Sequence, residues 1–457
     1  FRIGIDGSSV PIPALSATTE VPLKPGAPAL KGANQPFAQT TYQIDPGYLP
    51  GKSNQWNFTI QREMPGNSLL EIGYVRRTGS DLYGPVELNQ VPFFMTLGGQ
   101  TFAQAFDAVG AQLRAGGALA AQPFFERALA GSTFCAAPNA SCTAGVAARF
   151  SSSFLNQRVR ELWNGIQPSF VFGPATAASQ QVGTYFFFAG YGFSNYNAGF
   201  LSYRTRRWKG VTLDANFTWA HSLDTAGVNQ DFDTAASNAF DLHYDYGTSL
   251  FDRKFVFNLL GMYELPLGRG GRGPLNQLIG GWRVGPVFSA YSGLPLRVVT
   301  GSGQEFGQGG STRAGGAILL TKNTFGNSVH SGVVGDSKTQ VATTGNPAQG
   351  GTGLNLFGDP NAVFASFRPT MVSLDTTSNG GGQLRGLDRW NLDLTVAKRV
   401  KLGERVSANV NAQFFNLFNE VLFNDPTVSL QRPQTFGVIS TQMNSPRIIQ
   451  LGLQVNF

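Results

Sequence analysis

The chain of 457 residues is rich in Gly (57 residues) and Phe (37 residues), whereas only 13% of its residues are charged. This composition excludes a disordered chain, and no run of about 18 apolar residues is present that would predict a transmembrane helix. The formal net charge of +7 falls largely on short segments, such as residues 204–207, rather than on a basic stripe, so we predict no nucleic-acid partner.

Nine segments alternate between apolar and polar residues, which predicts β-strands with one apolar and one polar face. In residues 211–221, for example, Val211 and Phe217 share one face, and Asp214 and Asn216 share the other. A soluble β-sandwich also alternates, but faces rich in Asn, Gln and Thr favour a wet lumen on one side of the strands and lipid on the other. The predicted strands are residues 54–62, 68–78, 196–207, 211–221, 252–264, 281–292, 388–400, 404–417 and 447–457.

The connections between these strands fall into two length classes. Residues 63–67, 208–210 and 402–404 are tight turns, and residues 265–280 form a longer turn rich in Gly and Pro. The remaining connections are long loops at residues 79–195, 222–251, 293–387 and 418–446. The alternating strands and this asymmetry predict an all-β fold, an antiparallel transmembrane β-barrel with short periplasmic turns and long extracellular loops. We expect the chain to form the C-terminal part of such a barrel, with about nine strands.

The loop at residues 79–195 has features of its own. Helical spacing of apolar residues appears at 102–113 and 154–163. Cys135 and Cys142 are the only cysteines, and no His lies near them, so zinc binding is not predicted. We predict a local disulfide between them in an oxidising compartment, with two free thiols as the alternative.

The chain ends in an alternating strand that places Ile449, Leu451, Leu453 and Val455 on one face and stops at the aromatic residue Phe457. At about ten residues, such a strand is long enough to cross a bilayer when it is tilted.

Several segments resemble the C-terminal barrel of TonB-dependent outer-membrane receptors, in particular the Oar-like branch with a carboxypeptidase-regulatory-like N-terminal domain. The resemblance is strong over the strands and weak in loops 85–190 and 301–385. The matching segments are residues 55–63, 70–75, 196–198, 216–224, 251–255, 263–268, 280–284, 291–295, 414–419 and the final strand.

The resemblance implies a receptor and transporter of a Gram-negative outer membrane that binds a ligand at its extracellular loops and takes it up with energy from TonB. It also implies that residues 1–457 are the C-terminal portion of such a receptor, with the plug and the N-terminal domains absent. The expected partners are outer-membrane lipid, the TonB complex through the missing N-terminal region, the barrel-assembly machinery, which reads Phe457, and a small-molecule, glycan or peptide ligand. The alternative is a barrel for adhesion, signalling or protein export.

We predict no catalytic residue, metal or cofactor. His221 and Ser222 with Asp224 invite comparison with barrel hydrolases, but sequence alone supplies no triad geometry. The acidic loop 222–251 matches no EF-hand, so calcium is not predicted there. Candidate ligand contacts in the long loops are Trp163, Asp231, Asp233, Tyr244 and Tyr246.

Overall fold

The computed structural model describes residues 41–88, 90–171, 185–225, 234–267, 278–300, 305–307, 311–312, 316–320, 325–376, 382–401 and 406–457. Its main element is a sheet in which nine long strands follow one another in chain order, each antiparallel to the next. They are β1 (Lys52–Met64), β2 (Ser68–Glu87), β3 (Tyr185–Trp208), β4 (Val211–Asp224), β5 (Phe255–Glu264), β6 (Trp282–Tyr291), β7 (Arg389–Lys401), β8 (Ser407–Phe415) and β9 (Ile448–Asn456).

Each of the nine predicted strand segments overlaps one of these strands, but the sheet differs from the prediction in two respects. Short strands at Thr41–Ile44 and Gly247–Thr248 also join it, which brings the described sheet to eleven strands. In addition, β2 continues to Glu87 and β3 begins at Tyr185, so the loop between them is shorter than residues 79–195. The register shifts around Leu82, and the positive φ of 55° at Asp81, interrupt the alternation there and hide these strand ends in the sequence.

The register separates the two faces of the sheet over seven neighbouring strands. One row of residues paired from β1 to β7 is entirely polar, and the adjacent row, one residue along each strand, is entirely apolar. The polar row is Gln61, Glu71, Ser202, Asn216, Asn258, Ser289 and Asn391. The apolar row is Ile60, Ile72, Leu201, Phe217, Phe257, Ala290 and Trp390. Because successive side chains point to opposite faces, these two rows lie on opposite faces of the sheet, which we call the polar face and the apolar face.

The two ends of the strands differ, as the connection lengths predict. Residues 65–67 join β1 to β2, and Lys209 and Gly210 alone join β3 to β4, both in left-handed conformations (φ 50° and 87°) that suit a tight hairpin. We call this end the short-turn rim and the opposite end the long-loop rim. The turn at residues 402–405 lies outside the described residues.

The sheet is open among the described residues. Its two outer strands, β1 and β9, each pair with one neighbour in the sheet, β2 and β8 respectively. Both faces of β1 are exposed, and so is nearly all of β9. The described residues therefore form an open wall with two unpaired edges rather than a closed barrel.

The all-β prediction is incomplete, because the connection between β2 and β3 folds into a helical unit. Its helices are α1 (Phe102–Ala115), α2 (Pro123–Ala128), α3 (Cys142–Leu155) and α4 (Val159–Ile166). The segment 154–163, predicted as one helix, divides between α3 and α4 because Gln157 adopts a left-handed conformation (φ 53°). No helix in the described part of the chain is long and apolar enough to span a membrane.

This helical unit, which we call the cap (residues 90–171), has its own aromatic core. Phe102, Phe106, Phe124, Phe125 and Phe154 are at most 2% exposed. Thr101 caps the N-terminus of α1, where its side chain accepts a hydrogen bond from the Gln104 N–H. Gly116 caps the C-terminus of α1 in a left-handed conformation. The carboxylate of Glu126 on α2 accepts hydrogen bonds from the first backbone N–H groups of α3, which fixes these two helices together.

The loops after β6 and β8 form a second apolar core around Leu356, Phe357, Phe436 and Ile439, each at most 3% exposed. It contains α5 (Pro360–Ala365) and 3₁₀ turns at Thr343–Gly345, Pro347–Gln349 and Pro433–Thr435; further 3₁₀ turns at Thr133–Cys135 and Gln167–Ser169 belong to the cap. The remaining short strands are Thr96–Leu97, Gln100–Thr101, Thr234–Ala235, Pro295–Leu296, Ser311–Thr312, Ile318–Leu319, His330–Ser331, Leu354–Asn355, Phe367–Arg368 and Leu384–Arg385.

Candidate functional site

A recess of about 470 Å³ opens on the polar face of the sheet at the long-loop rim. Strands β1 to β4 form its floor, and Phe251, just before β5, lies at its side. The residues that the strands contribute have the parity of the polar row, because Arg77 pairs with Tyr196 and Tyr196 pairs with Ser222. We call this cavity the rim recess.

The rim recess contains one cationic and one anionic side chain. Arg77 is exposed, and its Nε donates a hydrogen bond to the Ser53 hydroxyl at 3.0 Å. Asp224, at the end of β4, also lines the recess and is only 6% exposed. Phe251 adds an aromatic ring that is 55% exposed. Side chains of both charges and an aromatic ring therefore line the cavity.

Beside the recess, the buried carboxylate of Asp252 connects three parts of the rim. It accepts a hydrogen bond from the Ser222 backbone N–H at 2.7 Å, lies 3.3 Å from His221 Nδ1 and forms an ion pair with Arg385. His221 therefore contacts Asp252 rather than Asp224. The Ser222 hydroxyl pairs with Ser249 at 2.8 Å, and successive residues of β4 point to opposite faces, so Ser222 and His221 do not form a triad geometry.

The cap docks on the rim through buried polar contacts. The carboxylate of Asp107 on α1 accepts hydrogen bonds from the backbone N–H groups of Val372 and Ser373, at 3.2 and 2.8 Å, and from the Ser373 hydroxyl at 2.7 Å. Burial raises the pKa of Asp107, although these hydrogen bonds act in the opposite direction. Arg160 on α4 forms an ion pair of 2.9 Å with the fully buried Glu87 at the end of β2. Because buried charges need such partners, the cap is held in one position on the rim.

A second titratable group lies beneath the cap. Glu305 is 1% exposed, and burial raises the pKa of its carboxyl to about 7. Its neighbour Phe306 contacts the ring of Tyr244 edge-on, with centroids 4.6 Å apart, and accepts a hydrogen bond from Gln90 of the cap at its carbonyl. Burial also raises the pKa of Tyr244 well above its usual range. The loops and the cap therefore share one packed layer.

The described residues contain no group of three or more His, Cys, Asp or Glu side chains placed to hold a metal ion.

The family of the chain follows from its match to a family model described as the outer membrane beta barrel domain, which covers residues 5–450. The chain belongs to this family. The protein is accordingly located in the outer membrane. No curated protein sequence matches the chain.

Solved structures that resemble this outer-membrane barrel chain share little sequence with it. The outer membrane transporter YddB from Escherichia coli has 7% identity and a TM-score of 0.39, with 93% of this chain and 34% of that chain covered. The pyoverdine outer membrane receptor FpvA from Pseudomonas aeruginosa PAO1, bound to pyoverdine, has 9% identity and a TM-score of 0.32, with 89% and 30% covered. The ferric-catecholate import receptor Fiu from E. coli K12 has 8% identity and a TM-score of 0.33, with 93% and 31% covered. The chain spans about a third of the length of these proteins.

Membership in the outer membrane beta barrel domain family explains the exposed apolar face of the sheet. On β4 this face runs from Val211 to Trp219, eight residue steps, which is about 27 Å along a strand at 3.4 Å per residue. When the strand is tilted, this length fits the apolar band of about 25 Å that such barrels present to lipid. Trp219 is 59% exposed at one end of the band.

The predicted ligand residues that the structure describes, Trp163, Tyr244 and Tyr246, have different surroundings. Trp163 is 8% exposed in the cap core, 5.0 Å from Phe102 between ring centroids, and Tyr244 is 1% exposed, so neither presents its ring to solvent. Tyr246 is half-buried against Phe193. Asp231 and Asp233 lie outside the described residues.

The structure also describes the predicted disulfide cysteines and the predicted assembly signal, Phe457. The sulfur atoms of Cys135 and Cys142 are bonded and connect the turn before α3 to its first residue. Phe457 follows β9 at the short-turn rim with its ring 99% exposed.

Sequence reasoning missed the rim recess. Arg77 lies in a segment predicted as a strand, and its parity places it on the polar face, which is a usable signal. Asp224, about 150 residues later in the chain, lines the same recess only because β3 lies between the two strands, and this arrangement is not encoded locally.

Proposed function

We propose that the chain forms the C-terminal part of the wall of a TonB-dependent outer-membrane receptor that binds a ligand at its extracellular side and takes it up. The observation that carries the proposal is the polar row from Gln61 to Asn391, matched across seven strands and adjacent to a wholly apolar row. A polar row on one face and an apolar band on the other fit a wall with water on one side and lipid on the other.

In this proposal the long-loop rim faces the exterior and the short-turn rim faces the periplasm, as is usual for barrels with this asymmetry of connections. The cap and the second loop core then form the extracellular layer. The rim recess lies beneath that layer at the entrance of the lumen, where a ligand passes from the loops to the interior.

The unpaired edges of β1 and β9 support the further proposal that other strands complete the wall. An open sheet edge in lipid leaves backbone N–H and C=O groups without partners, at a cost of several kcal/mol for each group. A plug within the closed barrel and an N-terminal segment that contacts TonB complete the proposed receptor. The segments that resemble the Oar-like branch support an additional carboxypeptidase-regulatory-like domain.

Phe457 supports a role in assembly. Its exposed ring ends the last strand at the short-turn rim, where the barrel-assembly machinery would contact it. We propose that this residue is the recognition signal for insertion into the outer membrane.

The transport proposal is tested in the bacterium that produces the protein. Wild-type cells, cells that lack this protein and cells that lack TonB are grown in the same complex medium, and solutes that remain are measured by mass spectrometry. We expect at least one solute to be depleted by wild-type cells and by neither mutant. Adhesion or protein secretion that depends on this protein, with all solutes depleted normally, would support the alternative function instead.

A further inference from the structure

We infer that Trp282 and Lys398 bind the phosphate group of an anionic phospholipid on the apolar face of the wall, at the short-turn rim. The ligand is a membrane lipid and not the solute that the receptor takes up, so the inference goes beyond the proposed function. It rests on that proposal in one respect, namely that the apolar face of the sheet meets lipid.

Lys398 lies at one end of the apolar band on β7. The residues of β7 that share the face of the apolar row are Trp390, Leu392, Leu394, Val396 and Lys398. From Trp390 to Lys398 the strand advances eight residue steps, which is about 27 Å at 3.4 Å per residue. When the strand is tilted, this length fits the apolar band of about 25 Å that a barrel presents to lipid. The ammonium group of Lys398 is therefore at the level of the lipid headgroups.

The partner of Lys398 across the sheet is Trp282 of β6, which lies on the same face. The Lys398 ammonium group is 4.6 Å from the centroid of the Trp282 ring. The backbone carbonyl of Leu278 accepts hydrogen bonds from both side chains, from the indole Nε1 of Trp282 at 3.3 Å and from Nζ of Lys398. These contacts hold the ammonium group over the ring, and since it has three N–H donors, donors remain for a ligand.

The charge of Lys398 forms no ion pair with a carboxylate among the described residues. The described ion pairs near this rim lie on the polar face, where Asp214 is 3.4 Å from Arg204 and Glu264 is 3.8 Å from Arg283. On the apolar face, the anion that a lipid brings to a cation is its phosphate. A hydrogen bond from an ammonium group to a phosphate oxygen is charge-assisted and stronger than a neutral one.

The site favours an anionic phospholipid over a zwitterionic one. In phosphatidylethanolamine the ammonium group of the headgroup offsets the phosphate charge, whereas the headgroup of phosphatidylglycerol contains no cation. Lys398 therefore gains more from phosphatidylglycerol. Trp282 supplies the apolar part of the site, because a tryptophan ring at the membrane interface packs against the ends of the acyl chains nearest the headgroup.

The test uses the full-length protein, purified in detergent, and a phosphatidylglycerol probe that carries a photoreactive diazirine in one acyl chain, close to the glycerol. After illumination, the probe attached to the peptides that contain Trp282 and Lys398 is measured by mass spectrometry, so lipid bound elsewhere on the barrel does not contribute. We expect unlabelled phosphatidylglycerol to compete at about a five-fold lower concentration than phosphatidylethanolamine with the same acyl chains, which is the effect of one lysine at an anionic surface. Inorganic phosphate should not compete, because it has no acyl chains.

Arg399→Gln is the matched control for Lys398→Gln. Arg399 is the next residue of β7 and carries the same charge, but it lies on the polar face, where its guanidinium donates a hydrogen bond to the Ser407 hydroxyl at 3.4 Å. We expect Lys398→Gln to abolish the preference for phosphatidylglycerol over phosphatidylethanolamine, and Arg399→Gln to preserve it. Lys398→Arg keeps the cation and should also preserve the preference.

The inference is overturned if the wild-type protein binds the two lipids equally at this site, or if Lys398→Gln and Arg399→Gln have equal effects. Competition by inorganic phosphate at the concentration at which phosphatidylglycerol competes would also overturn it, because the site would then bind a free anion. The two lipids are compared on the unmodified protein, so the test stands even if Lys398→Gln does not fold. A lipid preference without uptake of any solute contradicts the proposed transport alone, and uptake without a lipid preference contradicts this inference alone.

Discussion

Asn216 of β4 lies directly opposite Asn258 of β5, in the middle of the polar row. Ala215, the residue before Asn216, pairs with Tyr203 and Leu259 on the apolar face. Neighbouring residues of β4 therefore have polar partners on one face of the sheet and apolar partners on the other. This relationship makes the orientation of the wall testable with neighbouring substitutions.

The first prediction compares Ala215→Lys with Asn216→Lys. Ala215 lies midway between Val211 and Trp219 on the apolar face, so a lysine there enters the centre of the lipid band. We expect Ala215→Lys to lower the free energy of unfolding by about 2–4 kcal/mol, as charged residues do at the midplane of a barrel wall. Asn216 lies on the polar face, the proposed lumen side, where we expect Asn216→Lys to change the free energy of unfolding by less than about 1 kcal/mol.

The measurement for this pair is heat-induced unfolding of the full-length protein in lipid vesicles, read from its mobility on gels. Equal destabilisation by both substitutions, or a larger effect of Asn216→Lys, would mean that the polar row does not face water.

The second prediction concerns the docking of the cap. Asp107→Ala removes the acceptor of three hydrogen bonds and leaves the backbone N–H groups of Val372 and Ser373 buried without it. Because each buried donor left unpaired costs about 1–3 kcal/mol, we expect the cap to open locally before the wall unfolds. Hydrogen exchange at residues 371–376 should increase ten-fold or more.

Ser373→Ala is the control for this substitution, since it removes the hydroxyl donor alone and keeps both backbone contacts with Asp107. It should produce a smaller increase in exchange. If Asp107→Ala leaves exchange at residues 371–376 unchanged, the cap is held by its apolar core and not by this contact.

The strands of the wall were accessible to sequence reasoning because their signal is local. An alternation such as that from Val211 to Trp219 needs no knowledge of the neighbouring strand. The exceptions have physical causes. The register shifts near Leu82 break the alternation, so the extension of β2 to Glu87 was not predicted.

The loop residues were less accessible because their environment depends on contacts distant in the chain. Trp163 and Tyr244 were predicted as ligand contacts, since aromatic residues in long loops often bind ligands. In the structure Trp163 packs on Phe102 and Tyr244 packs on Phe306. Nothing in their local sequence distinguishes an aromatic ring in a loop core from one at a surface.

The third prediction tests the disulfide of the cap. The loop closed by Cys135 and Cys142 is short, so its removal by the double substitution to Ser should cost the cap about 2–3 kcal/mol on a chain-entropy estimate. Limited proteolysis should then cut between α2 and α3 while the wall stays intact. Addition of a reductant should reproduce the effect in the wild-type protein and have none in the double variant. Cleavage that is independent of reductant in the wild type would contradict a structural role.

The fourth prediction concerns the end of the chain. Removal of Phe457 alone should reduce the amount of protein inserted in the outer membrane several-fold, because its exposed ring makes no buried contact whose loss would affect the folded wall. Purified variant that has inserted should unfold at the same temperature as the wild type. Phe457→Tyr keeps an aromatic ring and should insert normally. Normal insertion of the truncated chain would contradict the proposed signal.

The last prediction is a pH dependence at Glu305, whose pKa rises from 4.5 to about 7 on burial. The folded protein therefore binds the proton more tightly than the unfolded chain, so the stabilisation is complete below pH 4.5 and is lost as the pH rises towards 7. The difference is on the order of 3 kcal/mol.

Glu305→Gln cannot titrate. Hydrogen exchange in the loops that pack around Glu305, which we call the loop layer and which include Gln90, Tyr244 and Phe306, should therefore change less between pH 5 and pH 8 in this variant than in the wild type, after correction for the intrinsic rate. Asp336→Asn is the control, because the Lys338 N–H holds the pKa of the exposed Asp336 carboxylate below its usual range and its titration ends below this interval. Greater protection from hydrogen exchange at pH 8 than at pH 5 in the wild-type loop layer would contradict the prediction. It would mean that hydrogen bonds and the charge of Arg297 stabilise the ionised Glu305 carboxylate by more than its burial destabilises it.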